Sequence, residues 1–99
     1  MLRHVVCLTW VDDVAPAAVD AVVDGLRALP AQIPELRGYW VGTDRRLATG
    51  NADLAIVADF DDDAGWRAYQ QHPAHIAVLT ERIRPILAHR AAVQFDWDR

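Results

Sequence analysis

The segment most constraining for the fold is residues 2–10, LRHVVCLTW, because it is a strand candidate that is apolar on both faces. β-Branched and aromatic side chains, which favour strands, dominate it. One face carries Val6 and Leu8 beside His4, and the other carries Val5 and Cys7. A strand of this kind needs a packing layer on each side of its sheet. Helices are expected to cover one side, and the other side needs a second cover.

Hydrophobic periodicity predicts the remaining elements. Apolar side chains at helical spacing predict a helix that begins at Pro16 and ends before Pro30. We then expect a strand at 38–42 and another at 54–60. A short helix containing Trp66 and Tyr69 follows and is interrupted at His72-Pro73. The next helix, bent at Pro85, carries the apolar stripe Ile76, Leu79, Ile83, Ile86 and Leu87, and a final strand runs through Val93, Phe95 and Trp97.

The predicted order is β-α-β-β-α-β, with the second helical region split in two. This order suits a single α+β domain over residues 1–99, with a four-stranded antiparallel sheet and both helical regions on one face, the ferredoxin-like arrangement. The other face of the sheet stays uncovered in one chain. A second copy is the simplest cover, which predicts a homodimer through the sheet face and hence a dimeric α+β barrel.

Composition excludes several functions. The chain has 99 residues with a net charge of −4, and it contains neither serine nor lysine. A serine nucleophile, a Schiff-base amine and a P-loop lysine are therefore absent, and no basic stripe is available for nucleic acid. No apolar run is long enough for a membrane span. The start of the chain does not read as a signal peptide, and a single Cys7 suits a reducing compartment, so we expect a cytoplasmic protein.

Acid–base candidates are concentrated in the segment WRAYQQHPAH at residues 66–75. Pro73 suits the first position of a helix, which puts His75 in the first turn and at the edge of the apolar stripe. The partial positive charge of a helix N-terminus and partial burial both disfavour imidazolium, so His75 is expected to be neutral and able to act as a general base. Tyr69 could reach the same boundary between helix and sheet, and His4 lies on the same face of the first strand as Val6. These three are the candidate catalytic residues.

Structural roles compete with these functional ones. Spacing alone also suits His75 as a core-edge residue, Trp66 and Tyr69 as core, and His4 as a structural residue. His72 beside proline is typical of a helix cap, and His89 is expected after the last helical turn, near its C-terminal end. The acidic run DFDDD at 59–63 reads as a solvated helix start without histidine ligands at metal spacing, so no metal is expected.

Several segments together resemble the stress-responsive α/β-barrel (Dabb) domain family over essentially the full chain. The most specific is YQQHPAH at 69–75, and the others are RHVV at 3–6, IPEL at 33–36, the strand with Gly42, DLA at 53–55, DFD at 59–61 and VQFD at 93–96. The resemblance implies a ferredoxin-like fold that dimerises into a barrel.

The resemblance also implies roles for individual residues. In family members of the olivetolic acid cyclase type, which close a linear polyketide by an aldol condensation without a cofactor, the residue matching His75 is the base and the one matching Tyr69 is its partner. A histidine matching His4 lies in their cavity. A further pocket histidine of that type falls near Leu54 here, which implies a less polar cavity. Related dimeric ferredoxin-like proteins include cofactor-free oxygenases.

The expected function is therefore a cofactor-independent cyclase or lyase acting on a polyketide-like β-carbonyl substrate. The apolar walls of its site are expected to come from Val6, Leu8, Trp66, Leu79 and Ile83. Two alternatives stay open: a non-catalytic stress-responsive protein that binds a small hydrophobic ligand, and a cofactor-free monooxygenase.

Overall fold

The computed structural model describes residues 1–98 and has the α+β ferredoxin-like architecture that the sequence predicts. The four strands are β1 (Leu2–Trp10), β2 (Gly38–Thr43), β3 (Leu54–Phe60) and β4 (Leu87–Asp96). The α-helices are α1 (Pro16–Arg27), α2 (Asp63–Gln71) and α3 (Pro73–Val78), with short 3₁₀ segments at Leu29–Ala31 and Arg84–Ile86 and a π-helical turn at Leu79–Ile83.

The sheet has the strand order β2-β3-β1-β4, and each neighbouring pair is antiparallel. Burial alternates strictly along the middle of β1: every even-numbered side chain from His4 to Trp10 is buried against the helical layer. The odd-numbered side chains point to the opposite face, which is open in a single chain. The helical layer therefore covers only one side of the sheet.

Helix α2 begins and ends where local chemistry predicts. The Asp62 carboxylate accepts a hydrogen bond from the Gly65 backbone N–H at 3.0 Å and forms the N-cap. His72 ends this helix and caps the next one, because its Nδ1 accepts from the backbone N–H of Ala74 at 3.1 Å. Pro73 then occupies the first position of α3. The predicted capping role of His72 is confirmed.

The segment after α3 differs from the prediction of one long helix. The π-helical turn inserts an extra residue, so the buried residues Val78 and Ile83 are five apart rather than three or four. Within α3 the buried side chain is Val78, and Ile76 lies two residues before it, about 200° away around the helix, so Ile76, which was expected on the buried stripe, is 47% exposed. Strand β4 also begins at Leu87 instead of near Val93, so Leu87 belongs to a strand and not to the helix.

The early start of β4 changes the position of His89. It lies in the strand opposite Thr9 of β1, so the predicted placement after a helix end is wrong. The reason is that Leu87–Arg90 pairs with the C-terminal half of β1, a contact between segments about eighty residues apart that local periodicity does not report. Trp97 in turn falls just beyond the strand.

The hydrophobic core lies between the inner face of the sheet and the helical layer. The buried apolar side chains are Val6, Leu8, Trp10, Val22, Leu26, Leu29, Ile33, Leu54, Ile56, Ala58, Phe60, Tyr69, Val78 and Ile83.

None of the helices in residues 1–98 combines the length and apolar character required to cross a membrane.

Candidate functional site

A cavity of about 310 Å³ lies inside this core, between the sheet and the helices. Seven of the eight residues expected at the site line it: His4, Val6, Leu8, Tyr69, His75, Leu79 and Ile83. The structure adds Leu26, Ile56, Gln70, Arg84, Leu87 and Arg90 to the lining. Most of the wall is apolar, and three of its polar residues, His4, Tyr69 and His75, have neighbouring rings.

Strand register explains where the polar groups meet. Tyr39 of β2, Ala58 of β3, His4 of β1 and Gln94 of β4 form one row across the inner face of the sheet. Ala58 is fully buried and small, so it leaves room above it between Tyr39 and His4. The Tyr69 ring of α2 packs over this gap, with its centroid 6.1 Å from that of Tyr39 and 6.5 Å from that of His4.

His75 lies directly against Tyr69, and their ring centroids are 4.3 Å apart. The Nδ1 atom of His75 is 3.4 Å from the carbonyl oxygen of Gln70, a long hydrogen bond. Because a carbonyl oxygen only accepts, Nδ1 carries the ring proton and Nε2 keeps its lone pair. Burial is the main cause that lowers the pKa of His75 below its usual 6.5, while the Gln70 carbonyl opposes this effect and the positive charge of Arg90 adds to it. His75 is therefore a neutral base at pH 7.

His4 is a second buried histidine, with 2% of its surface exposed. The Gln94 side-chain amide lies 2.7 Å from its Nδ1. With the amide donating, Nδ1 accepts and the ring proton lies on Nε2. Burial, followed by the charges of Arg90 and His75, lowers the pKa of His4 to about 4. The site therefore holds two neutral imidazoles with opposite tautomers, one able to accept a proton and one able to donate a hydrogen bond.

Tyr69 supplies a hydroxyl group next to these rings. Its oxygen is 3.1 Å from the hydroxyl oxygen of Tyr39. Burial raises the pKa of both tyrosines, so both phenols stay protonated at neutral pH. When Tyr39 donates in this pair, the proton of Tyr69 remains available to a ligand. Tyr39 was not singled out from the sequence, because only the antiparallel pairing of β2 with β3 puts it within reach of α2.

Trp66 is the expected site residue that the cavity lining does not include. Trp66 precedes Tyr69 by three residues in α2, so the two side chains point about 60° apart around the helix axis. Trp66 accordingly packs against His4, at 6.1 Å between ring centroids, and supports that ring instead of forming the wall. Its indole N–H is buried and has no hydrogen-bond partner among the described residues.

The acidic run near α2 has structural partners. Asp59 is 3% exposed and forms a bidentate pair with Arg3, at 2.8 and 2.9 Å. Asp61 pairs with Arg37 at 3.1 Å, and Asp62 caps α2. Within residues 1–98, no group of three or more His, Cys, Asp and Glu side chains is arranged to hold a metal ion.

Comparison with known proteins gives relatives over nearly the whole chain. The family model for the stress responsive A/B barrel domain matches residues 2–97. An uncharacterized protein of Streptomyces coelicolor, SCO4036, is 38% identical over 82 residues, which cover 78% of this chain and 81% of that protein. A crystal structure from Thermobifida fusca, a dimeric ferredoxin-like protein of unknown function, is 50% identical, has a TM-score of 0.90 and covers 97% of this chain and 90% of that one.

A more distant structural neighbour is an enzyme. The hydroxynitrile lyase from Passiflora edulis has a TM-score of 0.82 at 16% identity, over 95% of this chain and 90% of that one. At this identity the likeness concerns the fold alone. The match to the family model over residues 2–97 and the identity to SCO4036 are sufficient for an assignment, and the chain belongs to the stress-responsive A/B barrel domain (Dabb) family.

Proposed function

We propose that this protein is a cofactor-independent acid–base enzyme of the cyclase or lyase class, acting on a polyketide-like β-carbonyl substrate. The observation that carries the proposal is the packing of the His75 ring against the Tyr69 ring, 4.3 Å between centroids, in a largely apolar cavity that both residues line. A proton between two carbonyl groups is acidic enough for an imidazole to remove. The enolate that results needs hydrogen-bond donors at its oxygen.

The proposed roles follow from the tautomers. His75 Nε2 takes the α-proton, and the Tyr69 O–H, assisted by the Nε2–H of His4, donates to the developing enolate oxygen. The apolar wall excludes water and holds a flexible chain in a geometry that allows an intramolecular aldol closure. Val6, Leu8, Leu79 and Ile83 form this wall in the proposal, and Trp66 supports His4 from behind.

Exchange of an α-proton tests the reaction class without knowledge of the natural substrate. The purified protein is incubated with 1-phenylbutane-1,3-dione in D₂O, and loss of the α-proton signal is followed by NMR above the uncatalysed background. We expect His75→Gln to reduce the enzyme-dependent rate about 10²–10⁴-fold. His89→Gln, a histidine of β4 outside the cavity lining, is the matched control and should keep the rate.

The acid side of the pH profile gives a second readout. Because the pKa of His75 is lowered, its base form persists below pH 6.5, and kcat/KM should fall only at more acidic pH as the imidazole becomes protonated. A protein that does not accelerate exchange, or a His75→Gln variant at full rate, would contradict the proposed chemistry. Either result would favour the alternative function, binding of a small hydrophobic ligand in the same apolar cavity.

We also propose that two copies associate through the open face of the sheet. On that face Trp40 and Val93 are 54% and 56% exposed, and they lie at the two ends of one row whose middle members are Val57 and Val5. A continuous apolar row in solvent is typical of an interface. The dimeric Thermobifida fusca protein, at 50% identity, supports a second copy as the occupant.

Light scattering coupled to size-exclusion chromatography tests this association. We expect the wild-type protein to elute as a dimer and Val93→Asp to shift it to monomer, because the carboxylate would be buried without a partner. Ile76→Asp changes another exposed β-branched apolar residue, 47% exposed and in the helical layer, and this control should stay dimeric. A monomeric wild-type protein would refute the arrangement.

A further inference from the structure

The mouth of the cavity carries two arginines whose charges are not compensated. Arg84 follows the π-helical turn and Arg90 lies on β4, and both are exposed residues of the cavity lining. No ion pair or side-chain hydrogen bond of either arginine occurs within residues 1–98. By contrast, Arg3, Arg37 and Arg46 each pair with a carboxylate.

The rest of the cavity offers these arginines no negative charge. Its lining contains no aspartate or glutamate among the described residues. The chain as a whole carries a net charge of −4, whereas the cavity mouth, with two cations and no acidic side chain, is locally positive. Positively charged side chains without acidic partners raise the local concentration of anions.

Arg90 is the closer of the two to the polar groups of the site. Strand pairing puts it opposite Leu8 of β1, one cavity-facing position beyond Val6 and two beyond His4. Its charge acts electrostatically on His4, Tyr69 and His75 alike, whereas no such effect of Arg84 is seen on them. Arg90 is therefore the arginine of the lining that acts on the polar groups of the site.

We propose that the ligand of this cavity carries an anionic group, a carboxylate or a phosphate, which Arg90 binds while the apolar body of the ligand fills the space below it. The planar guanidinium presents two parallel N–H donors that match the oxygens of either anion. Arg84 adds a second positive charge to the cavity lining. This proposal names the substrate class of the site described under the proposed function and rests on that site, but it concerns binding and does not require turnover.

Binding of three matched probes tests the proposal by calorimetry at low salt. The probes are 2-naphthoate, 2-naphthyl phosphate and the neutral methyl 2-naphthoate, which share one apolar body. We expect at least one anion to bind about tenfold more tightly than the ester, the difference expected from a charge-assisted hydrogen bond, and the tighter anion identifies the group. Arg90→Gln should remove this preference and leave ester affinity within about twofold.

Arg67→Gln is the matched control, because it removes the same charge from an exposed position of α2 outside the cavity lining. It should keep the preference for the anion. Equal binding of all three probes, or an anion preference that survives Arg90→Gln, would overturn the proposal. Because binding is read without turnover, a protein that prefers the anion but does not exchange the α-proton would refute the proposed reaction alone. Proton exchange without anion preference would refute this inference alone.

Discussion

Burial of a neutral His4 predicts a specific loss of stability in mild acid. The unfolded chain binds a proton at this histidine near pH 6.5, whereas the folded state does so only near pH 4. Between these values the unfolded state binds more protons, so the free energy of unfolding falls as the pH decreases. The loss is about 1.4 kcal/mol per pH unit in that window, which gives about 2 kcal/mol between pH 7 and pH 5.

Between pH 7 and pH 5, aspartate and glutamate side chains with ordinary pKa values remain largely ionised, so histidines dominate the change in stability. The pKa of His75 is lowered in the same direction, so it adds to the loss in the wild-type protein. His4→Gln should therefore be less sensitive to pH than the wild type by about 2 kcal/mol, whatever its absolute stability.

Urea denaturation followed by circular dichroism at pH 7, 6 and 5 measures this difference. All samples need one protein concentration, because association also contributes to apparent stability. His89→Gln is the control: it removes an exposed histidine of β4 that does not line the cavity, and it should lose as much stability as the wild type over this pH range. If His4→Gln loses as much stability as the wild type between pH 7 and pH 5, the argument from a buried neutral imidazole is refuted.

Three further substitutions test the surroundings of the site. Tyr39→Phe removes the hydrogen bond to the Tyr69 hydroxyl, so kcat for α-proton exchange should fall about fivefold to tenfold, while KM stays nearly constant because Tyr39 does not line the cavity. Ala58→Val places two methyl groups under the Tyr69 ring and should lower the free energy of unfolding in urea by about 1–3 kcal/mol. An unchanged free energy of unfolding would mean that the Tyr69 ring does not fill the space above residue 58. Asp59→Asn leaves the Arg3 guanidinium without its charged partner and should cost about 2–3 kcal/mol in the same assay, less than a fully buried pair because Arg3 is partly exposed. Full stability of this variant at low salt would show that the pair contributes nothing.

In the proposed mechanism, the opposite tautomers of His4 and His75 make a charged group at the centre of the site unnecessary. A neutral base beside a neutral donor can move a proton between a carbon and an oxygen without burying a net charge in the resting state. Gln94 and the Gln70 carbonyl hold these tautomers, so they are positioning groups of the mechanism proposed above.

Many features of the fold follow from the sequence because they depend on short-range interactions. β-Branched and apolar runs predict β1 at 2–10 and β3 at 54–60, which are the observed bounds, and Pro16 begins α1 as expected. Asp62 and His72 cap helices through bonds to residues three and two positions away. The apolar character of both faces of β1 also predicts that a single helical layer leaves apolar surface in solvent.

By itself, therefore, the sequence determined the order of the elements, the helix boundaries around α2 and a set of residues that share one cavity. The tertiary structure alone decided the contacts among them: Gln94 beside His4, Tyr39 beside Tyr69, and Arg90 at the mouth of the cavity. Each contact joins segments that are distant along the chain, and strand register decides it. A shift of one residue in β4 would turn Arg90 and Gln94 to the other face of the sheet, and no local pattern in the sequence reports that register.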